Sequence, residues 1–234
     1  SSNIAIGTNS LYYNTSGSYN ASIGYNSLNA NTTGSSNTSI GNDALSANTT
    51  GWVNVALGNE ALRSNIIGSS NVAIGHQAML NFNTAGSNYN NAIGEGALKN
   101  LISGGSNSAL GVYSLSGLTT GSSNNAIGRD AGSVITVGSQ NIFIGNNSDA
   151  SSNSLSNAIA IGTLAIVSAS NTIQLGNSSI TNVITSVTFK SNGTSLMKKS
   201  TLLICPTVGK TSGWDLKICS IKILLQWLYQ LFKT

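Results

Sequence analysis

The chain has 234 residues, of which 26 are glycine, 7% are charged and 40% are hydrophobic. Soluble domains usually carry ~25% charged residues, so the composition excludes an ordinary charged surface, while the hydrophobic content argues against a disordered polar tract. The net charge of +4 comes from the C-terminal part: residues 1–180 hold three basic and five acidic residues, and residues 181–234 hold seven lysines and one aspartate. Because residues 1–180 contain no basic stripe with interleaved aromatics, we expect no nucleic-acid partner.

A short repeat runs through residues 1–180. Glycines that follow Ile or Leu recur at steps of 17 residues, with one step of 19 and a last step of 14. They are Gly7, Gly24, Gly41, Gly58, Gly75, Gly94, Gly111, Gly128, Gly145, Gly162 and Gly176. A fixed period over most of a chain predicts a solenoid, and helix-pair repeats need about 33 residues. We therefore predict an all-β parallel β-solenoid (β-roll) of about ten 17-residue coils, each with short strands and turns.

Several columns of stacked side chains are predicted within this solenoid. The Ile or Leu before each glycine is expected to point inward, giving a structural ladder of Ile6, Ile23, Ile40, Leu57, Ile74, Ile93, Leu110, Ile127 and Ile144. A second inner row is expected from the leucines that lie four residues after many of the glycines. Asparagines four residues before the glycines, among them Asn20, Asn37, Asn54 and Asn71, are expected to stack and hydrogen-bond along the axis. Neighbouring coils must supply the core, because one coil buries almost nothing.

The phrase Asn-Thr-Thr-Gly occurs at residues 31–34 and again at residues 48–51. Asparagine favours turns through side-chain hydrogen bonds to the backbone, and glycine adopts positive φ without steric cost. We interpret the phrase as a corner of the coil.

The repeat resembles those of known surface fibres. The segment NAIAIGTLAIVSASNTIQLGN, residues 157–177, is similar to the head repeats of YadA-like trimeric autotransporter adhesins, and SIGNDALSANTTGWVN, residues 39–54, is similar to repeats of phage and giant-virus fibre proteins. Such fibres often end in an endosialidase-type intramolecular chaperone, and residues 172–196 resemble the segment that precedes it. The resemblance implies left-handed parallel β-rolls, three chains per head, and a location on a cell or virion surface.

Residues 181–234 differ from the repeat. We predict a strand and linker in residues 181–200 and a basic tail in residues 201–234. In that tail, apolar residues at alternating steps of three and four predict a short amphipathic helix. Its apolar face is formed by Ile221, Leu224, Leu228 and Leu231. The helix is expected to clamp a trimer, to pack on the end of the solenoid or to lie on a membrane surface. Its apolar stretch is shorter than the ~18 residues of a transmembrane span.

Residues suited to chemistry are few. His76 is the only histidine, which excludes a multi-histidine metal site, and no catalytic residue, cofactor or metal is predicted. We therefore expect a homotrimeric, extracellular fibre or adhesin module rather than an enzyme, with a surface or matrix receptor for which a glycan is one candidate. One alternative is an ice-binding solenoid, because ranks of Thr and Asn suit ordered water. The other is a fragment of a tail-spike carbohydrate-active enzyme, which needs clustered carboxylates.

Overall fold

The computed structural model describes residues 2–180 together with Lys190–Ser191 and Thr194–Ser195. The chain divides into two units, residues 1–180 and 181–234. The described strands are β1 (Ile4–Ile6), β2 (Ala21–Ile23), β3 (Thr38–Ile40), β4 (Val55–Leu57), β5 (Gly68–Ser69), β6 (Val72–Ile74), β7 (Gly86–Ser87), β8 (Asn91–Ile93), β9 (Ser108–Leu110), β10 (Asn125–Ile127), β11 (Ile142–Ile144), β12 (Asp149–Ala150), β13 (Ile159–Ile161), β14 (Ile166–Val167), β15 (Ile173–Leu175), β16 (Lys190–Ser191) and β17 (Thr194–Ser195).

The first unit is a parallel β-solenoid of about ten turns, as predicted. Eleven strands form one sheet in the order β1-β2-β3-β4-β6-β8-β9-β10-β11-β13-β15. Each strand pairs in parallel with the equivalent strand of the next coil, so Ile6 lies beside Ile23, and Ile23 beside Ile40. Two smaller parallel pairs, β5 with β7 and β12 with β14, lie elsewhere on the coils. With about 4.8 Å between strands, the main sheet is ~50 Å long.

Each strand of the main sheet stops at its glycine. At Gly58 the backbone φ is +136°, and an added Cβ would lie 2.5 Å from the carbonyl oxygen of Gly75 in the next coil. Only glycine combines this conformation with so close an approach of two backbones. The leucine row also has positive φ, with 49° at Leu45. This costs about 1–2 kcal/mol, which the complete burial of the side chain offsets by about 1.5–3 kcal/mol.

The core is narrow and lies between the leucine row and the central residue of each strand. The predicted leucine row is confirmed, because its members are buried. Most central strand positions hold small residues such as Ala56 and Ala73, which are also fully buried. A small residue at this position leaves the interior free for the leucine that reaches across it.

The predicted inward direction of the residues before the glycines is wrong. Alternate residues of a strand point to opposite faces; because the central residue faces the core, the third residue faces outward. Ile6 is 58% exposed and Leu110 is 49% exposed. The nine residues stack in register, but all are exposed or only half-buried: Ile6, Ile23, Ile40, Leu57, Ile74, Ile93, Leu110, Ile127 and Ile144. The period predicts stacking, but it does not identify the inner face of a three-residue strand.

The asparagines four residues before the glycines form a continuous buried column. The backbone N–H of Asn37 donates to Oδ1 of Asn20 at 2.9 Å, and its Nδ2 donates to the same oxygen at 3.2 Å. Nδ2 also donates to the carbonyl of Gly51 at 2.9 Å. Asn54 and Asn71 repeat the pattern of bonds to the preceding asparagine. Each coil is thereby tied to the next by amide hydrogen bonds inside the solenoid.

In the second unit the structure describes one short antiparallel pair, β16 with β17, in which Lys190 lies opposite Ser195. The strand predicted at residues 181–189 lies outside the described residues. So does the predicted amphipathic helix with Ile221, Leu224, Leu228 and Leu231.

Candidate functional surfaces

The first candidate surface is the outer face of the main sheet, called the sheet face below. It consists of the first and third residues of the eleven strands. The third residue is Ile or Leu in every strand, from Ile6 of β1 to Leu175 of β15. The first residues are Ile4, Ala21, Thr38, Val55, Val72, Asn91, Ser108, Asn125, Ile142, Ile159 and Ile173. The sheet face therefore contains no charged residue.

The sheet face is large for an exposed apolar surface. Its strands are three residues long, so that its projected area is ~10 Å by ~50 Å, or about 500 Å². Monomeric soluble proteins rarely expose contiguous apolar patches above a few hundred Å², and larger ones mark interaction sites. The sequence already contained the signal for this face in the alternation of apolar, small and apolar residues within each strand.

The second candidate surface is a corner that carries almost all the charge of the solenoid. Within residues 2–180, the charged side chains other than Asp149 lie one, two or five residues after a repeat glycine, and we call this strip the charged corner. They are Asp43, Glu60, Arg63, Glu95, Lys99, Arg129 and Asp130. The two signs are nearly balanced, so the corner suits a ligand without strong net charge better than a polyanion.

Ordered polar contacts fix the side chains at this corner. Arg63 Nη1 lies 2.7 Å from Oε1 of Glu60, and Gln77 Nε2 donates to Oε2 of Glu60 at 2.7 Å. The hydrogen bond from Gln77, together with Arg63, lowers the pKa of the Glu60 carboxyl below its ordinary value. In the next coils, the Tyr113 hydroxyl donates to Oε1 of Glu95 at 2.9 Å, which raises the pKa of the tyrosine.

A shallow polar groove of about 580 Å³ runs along the charged corner. It is lined by residues from four successive coils, including Asn26, Asn29, Asp43, Arg63 and Asn81. Asn26 Nδ2 donates to Oδ1 of Asp43 at 3.1 Å. Amide, hydroxyl, carboxylate and guanidinium groups thus line one open groove, a mixture that offers both donors and acceptors to a polyhydroxylated ligand.

The corner formed by the Asn-Thr-Thr-Gly phrase and by the equivalent residues of other coils, called the threonine corner below, helps to hold successive coils together. Thr32 Oγ1 donates to the carbonyl oxygen of Thr49 at 3.1 Å, and Thr49 Oγ1 donates to that of Ile66 at 3.1 Å. The hydroxyl of the first threonine of each phrase is therefore used in a hydrogen bond within the protein. The second threonine of each phrase, Thr33 or Thr50, is exposed. The next coil places Ile67 at this position, so the row of exposed hydroxyls is short.

The acidic residues do not converge on one point. Among the described residues, no group of three or more His, Cys, Asp or Glu side chains is arranged to hold a metal ion. His76 Nδ1 lies 3.9 Å from Oε1 of Glu95, and both side chains are about half exposed. Sequence reasoning assigned no role to Asp149, which is buried at a position of the leucine row.

Asp149 has a structural role in the described coils. Its carboxylate accepts hydrogen bonds from Ser133 Oγ at 2.9 Å and from the backbone N–H groups of Val134 and Ala150. Burial nevertheless raises the pKa of this carboxyl above its ordinary value. Asp149 thus holds the turn of the preceding coil in place.

No protein-family model, no curated protein and no solved structure matches the chain. In the part of the chain that the structure describes, no helix has the length and hydropathy needed to cross a bilayer.

Proposed function

We propose that this chain is an extracellular fibre or adhesin module in which three copies pack their sheet faces together around a common axis. The observation that carries the proposal is the unbroken column of Ile and Leu on the outer face of the sheet, from Ile6 to Leu175. The number three comes from the resemblance of the repeat to trimeric adhesin heads.

The size of the face supports association. Burying about 500 Å² of largely apolar surface per copy contributes at most roughly 12 kcal/mol at ~25 cal/mol per Å². Association costs an estimated 4–15 kcal/mol in lost freedom of motion. The gain is of the same order as the cost only because the column continues through the whole solenoid. A solenoid of half this length would lose half of the gain while paying nearly the same cost.

The charged corner supplies the attachment surface in this proposal. It begins two residues after the sheet face, beyond the repeat glycine at which each strand stops, so it stays in water when the faces pack. Its groove offers Asp43, Arg63 and the amide of Asn29 to a receptor. A glycan fits this combination, because its hydroxyl groups both donate and accept hydrogen bonds and it needs no compensating net charge.

Self-association is tested by the solution mass after size exclusion with light scattering. The expected mass is about three times the 23.9 kDa of one chain. Ile93→Lys places a charge on the sheet face and should give a monomer, because burying an unpaired ammonium group is costly. Ile67→Lys is the matched control, since Ile67 is 42% exposed against 39% for Ile93 but lies at the threonine corner. A monomeric parent chain would refute the fibre module and make ice-shaping activity the next assay.

Attachment is tested with an immobilised panel of neutral and sialylated oligosaccharides. The parent chain should retain a subset of the panel, and the double variant Asp43→Asn and Arg63→Gln should lose that binding at least tenfold. Asp130→Asn is the control, because Asp130 occupies the same repeat position as Asp43 in a coil outside the groove. Equal binding by parent and double variant, or no binding to the panel, would contradict the groove as the attachment site.

A further inference from the structure

In the self-association proposed above, on which the following inference rests, the Ile and Leu column of the sheet face does not determine which coils of neighbouring copies lie opposite each other. This column is nearly identical in every coil. A copy displaced by one coil, ~4.8 Å along the axis, would pack this column as well as a copy in register. The column therefore favours association without specifying which coils face each other.

The neighbouring column of first strand residues is not uniform, because it contains the hydroxyl residues Thr38 and Ser108 and, among its apolar members, two side-chain amides. Asn91 in β8 and Asn125 in β10 are exposed on the sheet face, on either side of Ser108 in β9. In the part of the chain that the structure describes, neither side-chain amide has a hydrogen-bond partner, whereas Asn107 and Asn124 in the interior are fully paired. These two asparagines are polar groups that association of the face would bury unpaired unless another copy supplies the partner.

We infer that Asn91 and Asn125 fix the axial register of the associated copies, each amide pairing with the same residue of the neighbouring copies. In register, both asparagines face asparagine. Displacement by one coil places Asn125 against Ile142 of the neighbour and Val72 against Asn91. Displacement by two coils leaves one asparagine of each copy against Ile159 or Val55 in the same way.

The energetic difference between these arrangements is large enough to select one. Each buried amide left without a partner disfavours an arrangement about 5- to 150-fold, and every displacement creates at least two. The same logic operates in coiled coils, where one buried asparagine specifies register at some cost in stability. The fold accepts aliphatic residues at these positions, because Val55 and Val72 occupy the same column. Asparagine is therefore not required by the single chain.

The test maps disulfides between copies in a Cys205→Ser and Cys219→Ser background. One preparation carries Leu110→Cys and a second carries Ile127→Cys, one coil apart on the sheet face. The two are unfolded, mixed and refolded, then oxidised, and peptide mass spectrometry counts linkages between like and unlike positions. With Asn91 and Asn125 present, linkages of 110 to 127 should be rare. With Asn91→Val and Asn125→Val they should rise at least about 25-fold, because a displaced arrangement then no longer buries two unpaired amides that each disfavour it about fivefold or more.

The control variant is Asn42→Val with Asn59→Val, a pair of exposed asparagines at the charged corner that bond to each other. It should leave the linkage pattern unchanged. If the double variant Asn91→Val and Asn125→Val is a trimer and its linkages between positions 110 and 127 stay rare, the inference is overturned and the fibre module is left intact. A monomeric parent chain would overturn the fibre module itself, and the inference with it.

Discussion

The first four coils and the four coils that follow fill the same interior position with side chains of opposite polarity. Seven residues after the repeat glycine, the early coils place a polar residue, and the later coils place an apolar one in the same stacked column. The polar members are Asn14, Asn31, Asn48 and Asn65, and the apolar members are Phe82, Leu101, Leu118 and Ile135. The strands of both regions belong to one continuous sheet, so the backbone path does not depend on the choice.

The polar stretch satisfies its amides along the axis. Asn48 Nδ2 donates to Oδ1 of Asn31 at 2.9 Å and to the carbonyl of Gly51 at 3.1 Å. At the boundary, Phe82 offers no donor to Asn65, and the backbone N–H of Gly68 donates to Oδ1 of Asn65 at 3.0 Å instead. The column thus changes from asparagines to apolar side chains after Asn65, whose amide exchanges hydrogen bonds with Gly68 of its own turn.

Buried serines extend the polar region. Ser22 Oγ donates to Oγ of Ser27 at 3.0 Å, and Ser27 Oγ donates to Oγ of Ser39 at 2.8 Å. In the four coils that follow, the equivalent strand position holds alanine in the first three, as at Ala92 and Ala109. The comparison teaches that this interior accepts buried amides and hydroxyls where each one finds a hydrogen-bond partner, in a neighbouring coil or in its own turn as at Asn65, and takes apolar side chains elsewhere.

The largest expected effect tests whether the stability of the later coils depends on how completely side chains fill their core. Phe143 occupies a central strand position that alanine fills in most strands, and a Cβ added at Gly132, in the leucine row, would lie 2.6 Å from its ring. Phe143→Ala should lower the free energy of unfolding by about 3–5 kcal/mol through a cavity. Gly132→Leu should lower it by about 1–3 kcal/mol or more through overpacking.

The double variant Gly132→Leu and Phe143→Ala should recover most of both losses, because Leu115 and Ala126 form that pair one coil earlier. Urea denaturation of the four proteins gives the coupling energy. Additive losses in the double variant would contradict the exchange of volume between these two positions.

The next effect introduces a polar group into the apolar stretch. Leu118→Asn buries an amide between Leu101 and Ile135, where no neighbour can donate or accept through a side chain. We expect a loss of about 3–5 kcal/mol in the free energy of unfolding, from lost packing and an unpaired amide together. Leu118→Met is the control and should cost less than about 1.5 kcal/mol. Equal losses for the two variants would show that polarity is not what this stretch rejects.

The converse change tests the polar stretch. Asn48→Leu removes the donor to Oδ1 of Asn31 and the acceptor for Nδ2 of Asn65, so it should cost about 1–3 kcal/mol. Replacing all four asparagines with leucine should cost less than four times as much, because no amide of the column then remains unpaired. Chemical denaturation measures both variants. A strictly additive loss would mean that each asparagine acts alone.

The smallest effect is the pH dependence due to Asp149. Burial raises the pKa of its carboxyl in the folded chain, so the folded state binds the proton more tightly than the unfolded state. The stability linked to this group is complete below the ordinary pKa of ~3.9 and is lost as the pH rises through the raised value. Asp149→Asn should remove this slope from the urea midpoint between acidic and neutral pH. Asp43→Asn, at an exposed corner, should retain it.

The sequence predicted the solenoid, its register and the leucine row, because a fixed period places equivalent residues above one another whatever their chemistry. It did not predict that Ile6 and its equivalents face outward. In a three-residue strand, either the central residue or the two outer residues can face the core, and the small size of the central residue did not mark it as the core residue. It also did not reveal that Leu45 adopts a left-handed conformation, which depends on burial rather than on propensity. The roles of Asn91 and Asn125 emerge only once the sheet face is identified.

Both departures from the 17-residue period fall at the threonine corner. In the coil from Gly75 to Gly94, the two extra residues lie between Phe82 and Asn90, while the strands on either side remain paired. In the coil from Gly162 to Gly176, three residues are missing from the same corner, and β13 still pairs with β15. Length at this corner is thus uncoupled from the stacking of the sheet. The solenoid can serve as a display scaffold, with foreign peptides grafted at the threonine corner of successive coils and presented at intervals set by the strand spacing.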